Sequence, residues 1–397
     1  MSRLARTGLV APGTVAPGAQ CIEGIARLTD VSRFRVAASV GLALLCCACS
    51  ALPMSGPISG PTSGALVPYG QAVEQTSRVN ILVATTRDRI PESSGAMFGS
   101  GRALDVSYAA LTISIPPDEA RTIGEVQWPT LPPGNPQRDF VTLSADYINK
   151  QSFDAAVSSA AKRTHGGKVL VFVHGFNNRF DAAVYRFAQI VHDANASVVP
   201  VLFSWPSRGQ ALLSAYTYDM QSANYSRDAL ESLLDSLAHN PDVKEVTLLA
   251  HSMGNWIALE ALRAKSIHAG KIGDKISSVL LVAPDVDVDV FRMQIQRMGT
   301  SRPRFALFLS QDDGALKISQ SIWGGVSRIG AANPNIPPYR DELDREGIVV
   351  FDLTNMQGGA HPRAFTDITS VTEMMRQRFA NGQKMTDPEF TLSGVIH

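Results

Sequence analysis

Between Val246 and Leu259 the chain reads Val-Thr-Leu-Leu-Ala-His-Ser-Met-Gly-Asn-Trp-Ile-Ala-Leu, and this stretch constrains the fold more than any other. The apolar run Val246 to Leu249, bounded by Ala250, predicts a buried strand; Trp256, Leu259 and Leu262 at helical spacing predict a helix over Met253 to Lys265. No residues are left over for a loop. Ser252 must therefore occupy a corner where strand turns directly into helix, a strained conformation that brings the two backbones close together. Such a corner needs small residues two positions to either side, and Ala250 and Gly254 supply them. The pattern is a G-x-S-x-G elbow with Ala in the first Gly position. It lifts the Ser hydroxyl clear of the sheet and aims the Met253 N–H at a developing oxyanion. Read without that chemistry, the string is an ordinary strand-to-helix turn with an unreactive Ser, so the rest of the chain has to decide.

From Val169 onward strands and helices alternate. Val169 to Val173 is a continuous apolar run, as expected of a parallel strand buried on both faces. The patterns predict helix 180–193, strand 197–203, helix 226–237, the elbow, strand 278–282, helix 290–298, strand 305–309, strand 347–353 and a closing helix 370–379. Upstream, Val79 to Thr85 and Tyr108 to Ile115 are strand-like, the Pro-rich stretch Trp128 to Pro136 reads as a loop, and a helix is expected over 154–162. This alternation predicts an α/β fold with a mainly parallel central sheet and helices on both faces.

A Ser hydroxyl is a poor nucleophile unless a base takes its proton and an acid orients the base. After an elbow of this kind the acid and then the His follow in chain order, each at the C-terminal end of a later strand. Three histidines follow Ser252: His268, His361 and His397. His268 ends the elbow helix, away from the strand tips, and His397 is the last residue. His361 lies in a Gly-rich loop after the last expected strand and is the expected base. For the acid, Asp313 is preferred, because Gly314 gives a tight turn and Leu316 can pack beneath it. Asp312 is the solvated alternative, and Asp285 a third candidate whose blander role is a turn or helix N-cap. The second oxyanion donor is expected from His174-Gly175-Phe176-Asn177-Asn178, through the Phe176 N–H beside that of Met253. His174 and His251 are read as structural. Trp205 is expected either to wall an acyl pocket or to be a core Trp, and the span Gly209 to Asn224, with Tyr216 and Tyr218, to cover that pocket.

Residues 1–49 are read as a leader. Val36 to Ala48 is apolar and follows Arg33 and Arg35, the shape of a secretory signal; it is too short for a transmembrane helix of about 20 residues. Ala48-Cys49-Ser50 resembles a bacterial lipoprotein cleavage site, with Cys49 as the lipidated residue, although Cys46 stands where Leu is usual; ordinary cleavage nearby and an uncleaved anchor are the alternatives. Residues 1–30 are an unusual extension upstream of such a leader, and Val31-Ser32-Arg33-Phe34-Arg35 looks like the beginning of a compact signal peptide, which suggests a true start at Val31. A Ser-, Gly- and Pro-rich tether is expected over 50–78 and a folded domain over 79–397. All four cysteines lie at or before Cys49, so no disulfide framework can form in the body of the protein. Lys plus Arg and Asp plus Glu are 36 each, without the basic footprint of a nucleic-acid binder.

The strings HGFNN, FSWPS with the later Tyr216-Thr217-Tyr218-Asp219, AHSMGN, APD and SQDDGAL together resemble a bacterial α/β-hydrolase family of unknown function, often labelled esterase/lipase superfamily enzymes. Val83-Ala84-Thr85-Thr86-Arg87 and Ser114-Ile115-Pro116-Pro117 match its usual opening, so the resemblance covers roughly Val79 to Phe379. It implies an α/β-hydrolase fold, a nucleophile at Ser252 and no cofactor, and it leaves the substrate open. The expectation is an exported or membrane-anchored envelope serine hydrolase acting on a small carboxylic ester, with no nucleic-acid partner. An acyltransferase using the same Ser, or a non-catalytic envelope scaffold on this fold, are the competing classes; a metallohydrolase lacks a His-rich ligand set.

Overall fold

Strand Lys168–Val173 (β4) shows how the core is built. Its side chains alternate between faces: Val169, Val171 and Val173 enter one apolar layer, and Leu170 and Phe172 enter another. Every one of these residues is buried, so both faces of the sheet must be covered. The computed structural model describes residues 64–71, 73–91, 95–164, 166–354 and 363–380, with side chains of the last helix described over 369–378. All belong to the unit Ala51–His397.

The remaining strands are β1 (Ser77–Arg89), β2 (Phe98–Ile115), β3 (Val141–Ile148), β5 (Val199–Ser204), β6 (Glu245–His251), β7 (Ile276–Val282), β8 (Arg304–Leu309) and β9 (Val349–Asp352). The sheet order is β3-β2-β1-β5-β4-β6-β7-β8-β9. β1 and β2 are antiparallel, as are β2 and β3; every other neighbouring pair is parallel. The helices are α1 (Lys150–Arg163), α2 (Phe180–Asp193), α3 (Leu213–His239), α4 (Gly254–Ala269), α5 (Val288–Met298), α6 (Gly314–Ile322), α7 (Tyr339–Arg345) and α8 (Arg363–Ala380). Helices α2 and α8 cover one face, while α1, α3, α4 and α5 cover the other. This is the mainly parallel sheet with helices on both faces that the alternating pattern predicts, in the α/β-hydrolase arrangement that the resemblance implies. From β4 the chain first moves outward to β5 and then returns to β6 on the other side, so β4 and β6 flank the switch point, where ligands of such sheets bind beyond the strand C-termini.

Several expectations need correction. The tether expected over 50–78 gives way before its end: Ala65 and Leu66 are buried, and the Ala65 carbonyl accepts from Tyr185 Oη at 2.7 Å and Thr142 Oγ1 at 3.0 Å. Strand β3 has no counterpart in the sequence reading, because only its first two residues are fully buried and the rest alternate poorly. Helix α3 starts at Leu213 rather than near Ser226, and α6 and α7 occupy segments to which the sequence reading assigns no element.

Candidate active site

Ser252 stands between β6 and α4 with φ +52°, the left-handed region that a non-glycine residue occupies only when its surroundings compel it. Several contacts do so. Its N–H donates to the Val282 carbonyl at 3.0 Å, and its own carbonyl accepts from Asn255 N at 3.1 Å, Asn255 Nδ2 at 2.9 Å and Asp285 N at 3.4 Å. Asn255, fully buried, also donates Nδ2 to the Val282 carbonyl at 3.0 Å, stitching the corner to β7. The small neighbours are needed as the sequence requires. A Cβ on Gly254 would stand 2.5 Å from the His174 carbonyl oxygen and 2.7 Å from that of Val173. One on Gly175 would stand 2.8 Å from Ser252 Cβ. Two more non-glycine residues with positive φ, Asn177 at +59° and Ala283 at +43°, follow the adjacent strands β4 and β7, so backbone strain collects along this edge.

The loop 174–178 accounts for its polar groups almost completely. The His174 carbonyl accepts from Trp205 Nε1 at 2.7 Å, that of Gly175 from Asn178 Nδ2 at 3.2 Å, that of Phe176 from Asn178 Nδ2 at 2.9 Å, and that of Asn178 from Arg87 Nη2 at 2.7 Å. The Asn178 N–H donates to Ser207 Oγ at 3.1 Å, and the Asn177 N–H to the Asp219 carboxylate. Among the described residues no acceptor takes the Phe176 or the Met253 N–H. His174 is structural, as expected. Its Nε2 accepts from Trp205 N at 3.2 Å and lies 3.0 Å from Ser204 Oγ, so the proton sits on Nδ1 and is donated to the Gly175 carbonyl at 3.0 Å. Burial, reinforced by the Arg87 charge, holds its pKa well below the ordinary histidine value. His251 is densely surrounded although partly open to solvent. Desolvation and the Arg186 charge lower its pKa to about 4, and it too is neutral.

The carboxylates divide into distinct roles. Asp313 is the N-cap of α6: Oδ1 accepts from Ala315 N at 2.7 Å and Leu316 N at 3.1 Å, and Leu316 is buried beneath it. Burial raises its pKa, opposed by those two N–H groups. Asp312 is half-buried rather than solvated and accepts from Ser310 Oγ at 2.5 Å. Asp285 is not a helix cap, because Asp287 caps α5 through Asp289 N and Val290 N. Its carboxylate instead lies in the interior, accepting from Tyr216 Oη at 2.8 Å and Ser319 Oγ at 2.6 Å, with Arg328 Nε 3.4 Å away. His361 lies outside the described residues, as does Cys49.

The expected pocket residues separate. Trp205 is a core residue, fully buried and stacked on the His174 ring at 5.1 Å. Tyr216 faces the site: its ring packs edge-on against Phe176 at 5.3 Å. Tyr218 does not share that face. Two residues along a helix project about 200° apart, and Tyr218 instead donates to the Ser100 carbonyl and lies between Arg102 and Arg208. Arg87, Ser204, Ser207, Asp219 and Asn255 have no assigned role in the sequence reading; all five sit inside strings that carry the family resemblance, which was the available signal. Among the described residues, no three or more His, Cys, Asp or Glu side chains converge as a metal site would require.

The sequence profile of a family described as "Alpha/beta hydrolase of unknown function (DUF900)" matches residues 149–378. No curated protein matches. Among solved structures, one of two fungal esterases from Rhizomucor miehei is 12% identical, over 69% of this chain and 79% of that one, with TM-score 0.29. An esterase from Pyrobaculum calidifontis is 10% identical, over 89% and 93%, with TM-score 0.29. The siderophore hydrolase EstB from Aspergillus nidulans is 10% identical, over 78% and 97%, with TM-score 0.33. At those TM-scores the superpositions add nothing to the fold that the strand order defines.

Proposed function

Because this chain belongs to the α/β-hydrolase family of unknown function, we propose that it is a serine hydrolase that cleaves carboxylic esters through an acyl-enzyme on Ser252. The observation that carries the reading is the corner itself: a half-buried Ser at φ +52°, held by Asn255 and Asp285. A fold that needed only a turn there has no use for that strain.

In this reading His361 takes the hydroxyl proton as Ser252 attacks the ester carbonyl. Asp313 holds the imidazole in the correct tautomer; its Oδ1 is committed to the α6 cap, which leaves Oδ2 for the ring. The Phe176 and Met253 N–H groups receive the oxyanion, each worth about 3 kcal/mol in the transition state. His361 then protonates the leaving alcohol, and water, activated by the same imidazole, releases the acid. Tyr216 and Phe176 form part of an apolar wall for the acyl group. We further propose export to the bacterial envelope, with attachment through a lipidated Cys49.

Labelling of the purified protein with a fluorophosphonate tests the reading. Wild type is expected to label at one site, while Ser252→Ala and His361→Ala do not, and p-nitrophenyl esters are expected to be turned over with the same dependence. A folded wild type that neither labels nor turns over esters removes it.

A further inference from the structure

Arg87 is a costly residue to have in the interior. It is 1% exposed, and desolvation lowers its pKa to about 10. The charges that offset this act through space, Asp219 first and then Asp181 and Asp88. Its direct bonds go elsewhere: Nε donates to Ser204 Oγ at 2.9 Å, Nη1 to the carbonyls of Gly99 at 2.8 Å and Ser207 at 3.0 Å, and Nη2 to that of Asn178 at 2.7 Å. A planar fork of donors that engages three separate segments supplies geometry more than charge. Asp219, also fully buried, works from the other side. It accepts from Ser207 Oγ at 2.5 Å, from Arg208 N at 2.9 Å and from the Asn177 N–H.

These bonds lead to one peptide. Arg87 donates to Ser204 Oγ, and with that oxygen engaged the hydroxyl proton points to His174 Nε2. His174 Nε2 also accepts from Trp205 N at 3.2 Å and faces Arg87 Nη2 at 3.5 Å, so these donors together fix the Nδ1–H tautomer, whose proton binds the Gly175 carbonyl. The Gly175 oxygen and the Phe176 N–H lie on opposite sides of the same planar trans peptide, so holding the oxygen aims the N–H. Downstream, Asp219 holds the Asn177 N–H directly and the Asn178 N–H through Ser207, which fixes the left-handed turn at Asn177.

We propose that Arg87, through Ser204 and His174, and Asp219, through Asn177 and Ser207, are positioning residues that aim the Phe176 N–H at the oxyanion. The proposal rests on the serine-hydrolase reading above. It predicts that these side chains matter in the transition state and little to ground-state binding, since neither Arg87 nor Asp219 is exposed to a substrate.

The test uses Ser204→Ala, Asp219→Asn and Arg87→Lys in the full protein, with two readouts. The first is kcat and KM on a p-nitrophenyl ester. The second is amide hydrogen exchange of a peptide spanning residues 174–179, compared with one spanning the elbow. In folded Ser204→Ala and Asp219→Asn, kcat is expected to fall about 10- to 100-fold with KM within about threefold. Exchange over 174–179 is expected to rise at least about tenfold while the elbow stays protected. Arg87→Lys, which keeps the charge and loses the fork, is expected to behave like the other two rather than like wild type. A kcat within about twofold of wild type in folded Ser204→Ala and Asp219→Asn overturns the proposal, and so does unchanged exchange over 174–179. If Asp219→Asn or Arg87→Lys does not fold, Ser204→Ala decides alone, since it removes one hydroxyl and no charge. If wild type itself turns over nothing, the hydrolase reading falls, and the exchange comparison still decides whether these residues hold the loop.

Discussion

Gly254 has no room for a methyl group, because the atoms a Cβ would meet are carbonyl oxygens of the central strand and of the residue after it, and neither can retreat. Gly254→Ala is expected to destabilise the protein by about 1–3 kcal/mol, read from the urea midpoint, and to slow fluorophosphonate labelling at least tenfold. Asp313 combines a cap with its proposed catalytic role, and the two are separable. Asparagine caps helices as well as aspartate does, so Asp313→Asn should leave the unfolding temperature nearly unchanged while lowering kcat about 10³- to 10⁴-fold. The same change at Asp312 should cost far less, and equal losses at both would reject the assignment. His251 makes a prediction about pH. Its folded pKa of about 4 lies below the ordinary value near 6.5, so between these values the unfolded chain binds the extra proton, and stability falls as the pH drops through that window. His251→Asn is expected to flatten stability against pH there by about 1.4 kcal/mol per pH unit, relative to wild type in urea titrations at pH 4.5, 5.5 and 6.5.

Helix α3 shows what a helix can conceal from a search for apolar periodicity. Its first half is anchored through polar groups: Asp219, Ser222 and Ser226 are buried, and Tyr216 reaches Asp285 with its hydroxyl. No apolar stripe marks that half, so the sequence supports a helix only from about Ser226, where Leu230, Leu233, Leu234 and Leu237 begin one. Helix α2 is the opposite case. Its inward face is Phe180, Ala183, Val184, Phe187, Ala188, Ile190 and Val191, and its limits are legible to the residue. The polar anchoring of α3 has an energetic consequence. Tyr216→Phe removes a donor from a buried carboxylate and is expected to destabilise by about 1–3 kcal/mol. Phe187→Ala, which empties a site stacked on Phe172 at 5.3 Å, should cost about 3–5 kcal/mol. Denaturant unfolding of the two variants measures both.

Across the whole molecule, legibility follows distance along the chain. The elbow, the loop after β4 and the turn at Asp313 are local patterns and can be read as strings. Arg87 and Asp219 reach the same loop from β1 and α3, and nothing in either neighbourhood reveals it; the sheet order, which sets β1 beside β5 and β5 beside β4, brings Arg87 there, and Asp219 arrives from α3 through Ser207. The expected leader belongs to this scale as well. If Cys49 anchors the protein, cells fed radiolabelled palmitate should label wild type and not Cys49→Ser, and absence of label from both would favour plain cleavage. The strand order carries one more consequence. Counted across the sheet, β4 has four strands on either side, so the corner after its neighbour β6 sits beside the hub, while β3 and β9 form the rims. Rims can acquire insertions, partners or extra strands without disturbing the hub. What the chain attaches to can therefore change at the rims while the corner stays as it is.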